Sequence, residues 1–282
     1  MEIIGSTATE LWLTALAHII HSGVATYPRG FICYELMNVH LDINMFQPIV
    51  TAPARKLGYR FLCAEAAWIL NGDDRVETIA PYSKIISEFS DDGKIFFGSY
   101  GTKIVAQLAY VAHKLIADND TRQAVLTIWR ENPGYSRDIP CTISVQFLIR
   151  DGYLHCIDTM RSSDIWLGIP YDMFNFTMLS SYLILLLNKM ADLELKLGKL
   201  FFNLGSFHLY KRDKLSAQKC LGDWDARKFT YPVLDPLKEW SSPEDLIRHL
   251  WSIAELKPEE LTSKWCCHLA ASTQKTKGET NG

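Results

Sequence analysis

Several absences narrow what this chain can do. Its 282 residues carry 29 Lys and Arg against 32 Asp and Glu, a net charge of -3, and no basic run long enough to grip nucleic acid. Its seven cysteines include no C-x-x-C pair, and their odd number suits neither a disulfide framework nor a zinc site. A reducing cytoplasm is the simplest setting for such thiols, and no metal is expected. There is no P-loop and no G-x-G-x-x-G, so Walker-type and Rossmann-type nucleotide binding are unsupported. The start, Met1-Glu2-Ile3-Ile4, has no basic region followed by an apolar run, so no signal peptide is expected. The most apolar stretch, Met173 to Leu187, is interrupted by Asn175, Thr177, Ser180 and Ser181. It falls short of the ~20 residues of a membrane span and reads as a buried core helix.

What is present is an ordinary globular composition, 48% hydrophobic and 22% charged. Helices are expected from Thr7 to Ser22, with Thr7 and Glu10 at capping-box spacing and Gly23 as a left-handed stop, and from Leu57 to Leu70, closed by Gly72. Two more are expected from Thr102 to Ala117 and from Pro243 to Ala254, the last capped by Ser242. Strands are expected at Phe31–Ile43 with an interruption near Glu35, at Arg122–Arg130, at Cys141–Arg150, at Tyr153–Met160 and at Lys199–Tyr210. Asp151-Gly152 marks a hairpin. Strands and helices mix without strict βαβ alternation, which predicts an α+β domain. One catalytic domain over 1–271 and a disordered tail over 272–282 are expected.

The chemistry concentrates between Ile139 and Tyr182. Cys141 follows Pro140 and opens an apolar strand. A cysteine there is commonly a small buried hydrophobe; as a nucleophile it needs a thiolate, which nearby arginines such as Arg29, Arg122 or Arg161 would favour. Arg161-Ser162-Ser163-Asp164 offers a guanidinium and hydroxyls suited to a phosphate monoester, or an arginine paired with Asp158 or Asp164. Glu65 lies in an apolar segment and needs a partner, a proton or a wet cavity unless it faces outward. His208 and Tyr210 share one face of a strand and could hold a sugar, although a core histidine shows the same pattern.

Pro140-Cys141 with Gln146-Phe147, Arg161-Ser162-x-Asp164 with Leu167-Gly168, and Gly205 through Tyr210 together resemble the thymidylate synthase family, more closely its pyrimidine hydroxymethylase branch from bacteriophages. Arg29, Ala64-Glu65 through Trp68 to Gly72-Asp73, and Tyr100-Gly101 add weaker matches over Thr7 to Tyr210. The resemblance implies a mixed sheet flanked by helices and a homodimer packed through the sheet. It implies that Cys141 adds to carbon 6 of a pyrimidine nucleotide and that carbon 5 then attacks the methylene of 5,10-methylenetetrahydrofolate. Glu65 would relay protons through ordered water, and Tyr100 would assist proton removal from carbon 5. Arg29, Arg161 and Ser162 would hold the phosphate, with Arg122 donated by the second subunit. His208 and Tyr210 would hold the ribose. Asp164 would touch the substrate, and Glu65, Asp164 and Gly168 would face the folate.

Departures from the family pattern sharpen the expectation. Asp172 stands where thymidylate synthases carry an asparagine that reads the uracil edge; a carboxylate accepts from the amino group of cytosine. Facing uracil, it would oppose a carbonyl at roughly 1–3 kcal/mol or more. A surface aspartate capping a helix is the plainer reading of the residue alone. Gln123 replaces a second arginine after Arg122, and Met160 replaces a glutamine before Arg161. The tryptophan expected near Ile86 is missing from Tyr82 to Phe89, which favours hydration of the methylene over its reduction. The expectation is therefore a deoxycytidylate 5-hydroxymethyltransferase acting on dCMP in the cytoplasm of a phage-infected host. Its alternatives are a dCMP methyltransferase that yields dihydrofolate and a dUMP-directed enzyme.

Overall fold

The computed structural model describes residues 1–83, 85–222 and 233–256, so the expected tail at 272–282 lies outside the described residues. After β1 (Glu2–Gly5), helix α1 (Ala8–Ser22) begins where Thr7 Oγ1 accepts the Glu10 N–H at 3.2 Å. Glu10 Oε2 accepts the Ser6 N–H at 3.0 Å, so the capping box forms with its return arm one residue early. Gly23 is extended rather than left-handed (φ -66°), because the chain runs directly into β2 (Val24–Thr26). Strand β3 (Cys33–Asn44) passes through Glu35 unbroken. Its irregularity falls at Asn38 (φ 52°), between the pairs Met37–Ser206 and Val39–Leu204.

Helix α2 (Tyr59–Leu70) ends at Gly72, whose φ of 70° is the left-handed stop the sequence predicts. Next come α3 (Val76–Ile79), α4 (Gly101–Ala117) and β4 (Val125–Thr127). Strand β4 is shorter than the expected Arg122–Arg130 because the Ile128 and Trp129 N–H groups both donate to the Ile143 carbonyl, which breaks the ladder. Strands β5 (Thr142–Arg150) and β6 (Tyr153–Asp164) are joined by Asp151 and Gly152, both at positive φ (52° and 77°), as a tight hairpin turn requires. The chain continues through α5 (Ile169–Ala191), β7 (Lys196–Tyr210), α6 (Lys214–Leu221), α7 (Pro236–Glu239) and α8 (Pro243–Glu255). Ser242 caps α8 by accepting the Asp245 N–H.

The strands form one mixed sheet in the order β1-β3-β7-β6-β5-β4, with β2 paired to β3. It is flanked by helices, an α+β arrangement. Period-two burial sets its faces: Leu154, Cys156, Asp158 and Met160 of β6 are buried, while Tyr153, His155, Ile157 and Thr159 are half-buried on the other side. The buried face packs against α5, whose apolar run makes it a core helix. Thr177, Ser180 and Ser181 satisfy their hydroxyls on carbonyls four residues back, at 2.7 to 2.9 Å. Among the described residues no helix is long and apolar enough to cross a membrane.

This topology gathers the site. Strands β6 and β7 run parallel, with Ser162 opposite Ser206 and Asp164 opposite His208. Strand β5 runs antiparallel to β6, so Cys141, at its start, lies at the same sheet edge. The first turn of α5 delivers Asp172 to that edge.

Candidate active site

Cys141 is half-buried at the head of β5, and Arg161 crosses to it from β6. The Arg161 backbone N–H donates to the Cys141 carbonyl at 2.9 Å, and its Nη2 donates to Cys141 Sγ at 3.9 Å. The guanidinium is held in place by the Pro140 and Ile139 carbonyls, each at 2.9 Å. It pairs with neither Asp158 nor Asp164 in a salt bridge, contrary to the simpler reading of the sequence. One arginine does not suffice to make a thiolate. Burial pushes the thiol up to about 11; Arg161 opposes the rise, while Asp172, Asp138 and Asp158 add to it. Of the three arginines that could favour a thiolate if they converged, Arg161 is the one within reach of Cys141 among the described residues, and burial outweighs it.

Tyr100, at the start of α4, accepts the Thr142 N–H at 3.1 Å. Its phenol is pushed well up by burial, with Cys141 and Asp172 as the charges it feels. Beneath it, Thr142 Oγ1 donates to Asp158 Oδ2 at 3.3 Å. Asp158 is fully buried, and its other oxygen has no partner among the described residues.

The wall from α2 and α5 holds two further acids. Glu65 accepts from Asn175 Nδ2 at 2.8 Å. Its acid stays protonated up to about 7, chiefly through burial, with Asn175 opposing and the charge of Asp172 adding. Asp172 is also raised to about 7, by burial and then by Asp164. No described side chain hydrogen-bonds its carboxyl, so it is not the surface helix cap of the plainer reading. In its protonated form that carboxyl presents both a donor and an acceptor. A small cavity lies against it, lined by Ile69, Tyr100, Asp172, Asn175 and Phe176 among others. A Cβ at Gly168 would stand 3.2 Å from Asp172 Oδ2 and 3.0 Å from the Asp164 carbonyl, so this position keeps the wall open.

At the far end, Arg29 and Arg161 both act on His208, opposing its protonation, while Asp164 and Glu35 favour it; burial is the larger cause and lowers it. Ser162 Oγ lies 3.5 Å from His208 Nδ1, and the Tyr210 ring meets the imidazole edge-on at 5.3 Å. Asp164 Oδ1 accepts the Trp166 and Leu167 N–H groups at 2.7 and 3.0 Å, holding the turn into α5, while its Oδ2 is buried without a partner among the described residues. Arg122 is not brought to this group: it sits exposed before β4, its carbonyl accepting from Gln146 Nε2 at 2.9 Å. Arg55 is buried, with its guanidinium 4.6 Å over the Trp166 ring.

Sequence reasoning missed Asn175, Thr142 and Asp158 as parts of this assembly. Asp158 had a readable signal, an acid in period with the buried Leu154, Cys156 and Met160. Nothing in the sequence paired Asn175 with Glu65 across 110 residues.

A half-buried thiol beside a guanidinium, with titratable acids along one wall, is an arrangement suited to nucleophilic chemistry. A model of the thymidylate synthase family matches residues 10–229, and the chain belongs to that family of folate-dependent one-carbon transferases. A deoxyuridylate hydroxymethyltransferase of Bacillus phage SP01 is 31% identical over 186 residues, covering 58% of this chain and 48% of that protein. The chain thus spans about half the length of that phage relative. Thymidylate synthases from two Coxiella burnetii strains are 24% identical over 224 residues, 73% of this chain and 82% of theirs.

Proposed function

We propose that this chain hydroxymethylates carbon 5 of dCMP, taking the one-carbon unit from 5,10-methylenetetrahydrofolate. The observation that carries the base assignment is Asp172, a half-buried carboxyl with no described side-chain partner, held up to about 7. Protonated, it donates to ring nitrogen 3 of cytosine and accepts from the 4-amino group, satisfying both with one side chain. In this reading Cys141 adds to carbon 6, Tyr100 assists removal of the carbon 5 proton, and Glu65, steadied by Asn175, holds or releases a proton near the ring. Arg29, Arg161 and Ser162 take the phosphate, and His208 and Tyr210 take the ribose.

The folate fits the same wall. It supplies the methylene when bound. Asp164 Oδ2, buried and unpartnered among the described residues, suits a pterin N–H, and Gly168 keeps the wall flat beside it. The product is the hydroxymethyl compound because the segment around Ile86 carries no tryptophan to shield the methylene from water. Residues 1–271 act as one catalytic unit, in the host cytoplasm.

A second copy belongs on the half-exposed sheet face, where Leu148, Ile157 and Phe201 leave apolar surface. That packing would carry the exposed Arg122 to the partner's phosphate end.

A second reading, dUMP as substrate, is favoured by the name of the phage relative. The same protonated Asp172, turned over, would donate to carbonyl 4 and accept from N3–H. Mass spectrometry after incubation with the folate and either dCMP or dUMP separates the readings. Gain of a hydroxymethyl group on dCMP supports the proposal; gain on dUMP alone overturns the base assignment; gain of a methyl group with dihydrofolate overturns the hydration step.

A further inference from the structure

The segment that carries Cys141 and the loop that carries Tyr100 are tied together on both sides of the thiol. After it, the Thr142 N–H donates to the Tyr100 phenol oxygen at 3.1 Å. Before it, Asp138 Oδ2 accepts the Gly98 N–H at 2.7 Å. Asp138 is half-buried, and no described cation lies within ion-pair distance of it; its neighbour Arg137 pairs with Asp91 instead. Burial raises the Asp138 acid, and the Gly98 N–H is the first group to oppose the rise. The carboxyl is thus spent on one backbone N–H of the Tyr100 loop, a charge-assisted bond when it is ionised.

Gly98 is shaped to this contact. A Cβ there would stand 2.5 Å from the Asp138 carbonyl oxygen and 2.9 Å from its Oδ1, so any side chain would drive the two backbones apart. The rest of the loop is fastened elsewhere. Lys103 Nζ donates to the Ser99 carbonyl at 2.7 Å and to the Phe97 carbonyl at 3.3 Å, and Ser99 Oγ donates to the Asp73 carbonyl at 3.0 Å. Those bonds anchor the loop to α4 and to the turn after α2. The Cys141 segment is anchored separately, through the Ile139 and Pro140 carbonyls that accept from Arg161. Two independently anchored pieces therefore meet at Cys141, and the Asp138–Gly98 and Thr142–Tyr100 bonds set their spacing.

We propose that Asp138 is a positioning residue: by gripping the Gly98 N–H it fixes the Phe97–Gly101 loop against the Cys141 segment and holds Tyr100 in register with the nucleophile. The inference rests on the reading given above, in which Cys141 adds to carbon 6 and Tyr100 assists at carbon 5. Those are neighbouring atoms of one ring, so the two side chains must keep a set spacing. A misplacement of about 1 Å is enough to slow a reaction on the order of a hundredfold. Asp138 itself touches no substrate. Its bond needs only an acceptor, which an amide oxygen also supplies. Without it, Arg161 still holds the nucleophile, but the loop is free to drift from it.

The test compares Asp138→Asn, Asp138→Ala, Gly98→Ala and the Asp138→Ala/Gly98→Ala double variant with the unaltered protein, using dCMP and dUMP tritiated at carbon 5, with 5,10-methylenetetrahydrofolate. For Asp138→Ala, kcat and tritium release are expected to fall together by about tenfold or more, with the nucleotide KM within about twofold. Asp138→Asn should keep about half or more of normal turnover. Gly98→Ala should match the loss in Asp138→Ala, and the double variant should stay within about twofold of either, because all three lose the same contact. Alkylation of Cys141 by iodoacetamide, followed on its own peptide by mass spectrometry, should keep its rate within about threefold throughout, since Arg161 still holds that segment. Normal kcat in Asp138→Ala overturns the proposal. So does an Asp138→Asn protein as slow as Asp138→Ala, or losses that multiply in the double variant. Where Asp138→Ala lowers the unfolding midpoint, the other two single variants decide: a near-normal Asp138→Asn with a slowed Gly98→Ala supports the proposal, and the reverse overturns it. Unaltered protein that releases tritium from neither nucleotide overturns the reading of the reaction, and this inference with it.

Discussion

The two ends of the proposed pocket, assigned above to base and to phosphate, are built from opposite materials. At the base end, Asp158 of β6 is buried and Glu65 of α2 and Asp172 of α5 are half-buried, none of them within ion-pair distance of a described cation, and desolvation raises all three. At the phosphate end, Arg29 and Arg161 are exposed, and around them Ser162, His208 and Tyr210 sit on strand ends. The base end therefore draws its acids from α2, β6 and α5 of one chain, and Glu65 and Asp172 there hold protons up to about 7. The phosphate end faces solvent. An enzyme that adds and removes protons on a ring gains from acids balanced at working pH. A doubly charged phosphate needs only fixed charge, which can come from a second subunit.

The largest effect should come from the atom where the two ends meet. Cys141→Ala should lower turnover about 10⁴-fold or more, the scale for loss of a covalent nucleophile, while nucleotide binding persists. Residual turnover above a hundredth of normal would remove covalent catalysis from the account.

A complementation experiment sharpens the claim that the phosphate end is shared. Arg122→Ala and Cys141→Ala proteins, each nearly inactive, should recover about a quarter of normal activity when mixed, because random pairing leaves one intact site in half of the dimers. No recovery in a protein shown to exchange subunits would confine Arg122 to its own chain.

The smallest effect concerns the stability of the base end. The Glu65 acid is raised in the fold to about 7. The folded chain therefore keeps a proton that the unfolded chain releases, and stability is lost as pH rises from about 4.5 to 7. Glu65→Gln removes that loss. It should raise stability by about 2–3 kcal/mol at pH 8 and by almost nothing at pH 4. Urea unfolding at the two pH values checks this, and an equal effect at both would contradict the buried-acid description.

The two ends also differed in how far the sequence revealed them. Local signals were dependable: Thr7 and Ser242 cap their helices, Gly72 stops α2, and Asp151-Gly152 turns the hairpin. The reading of Gly23 failed because the strand that follows, rather than the residue's own freedom, sets its backbone. The length of β4 failed because two donors converge on the Ile143 carbonyl, a tertiary event with no local mark. The strand-end groups Arg161, Ser162 and His208 were legible because parallel neighbours align their ends. The setting of Cys141 was not: the sequence offered three arginines without showing which converge, and in the fold burial, with three carboxyls adding, outweighs Arg161. Partners such as Asn175 for Glu65 join distant elements and carry no spacing rule.

The central claim, that an acid at the closed end selects the base, is tested most directly by the ratio of kcat/KM for dCMP over dUMP in the normal protein and in Asp172→Asn. The account predicts a ratio above one that falls by about tenfold or more in the variant, the scale of one mismatched buried hydrogen bond. A ratio that does not change would mean that Asp172 does not read the base.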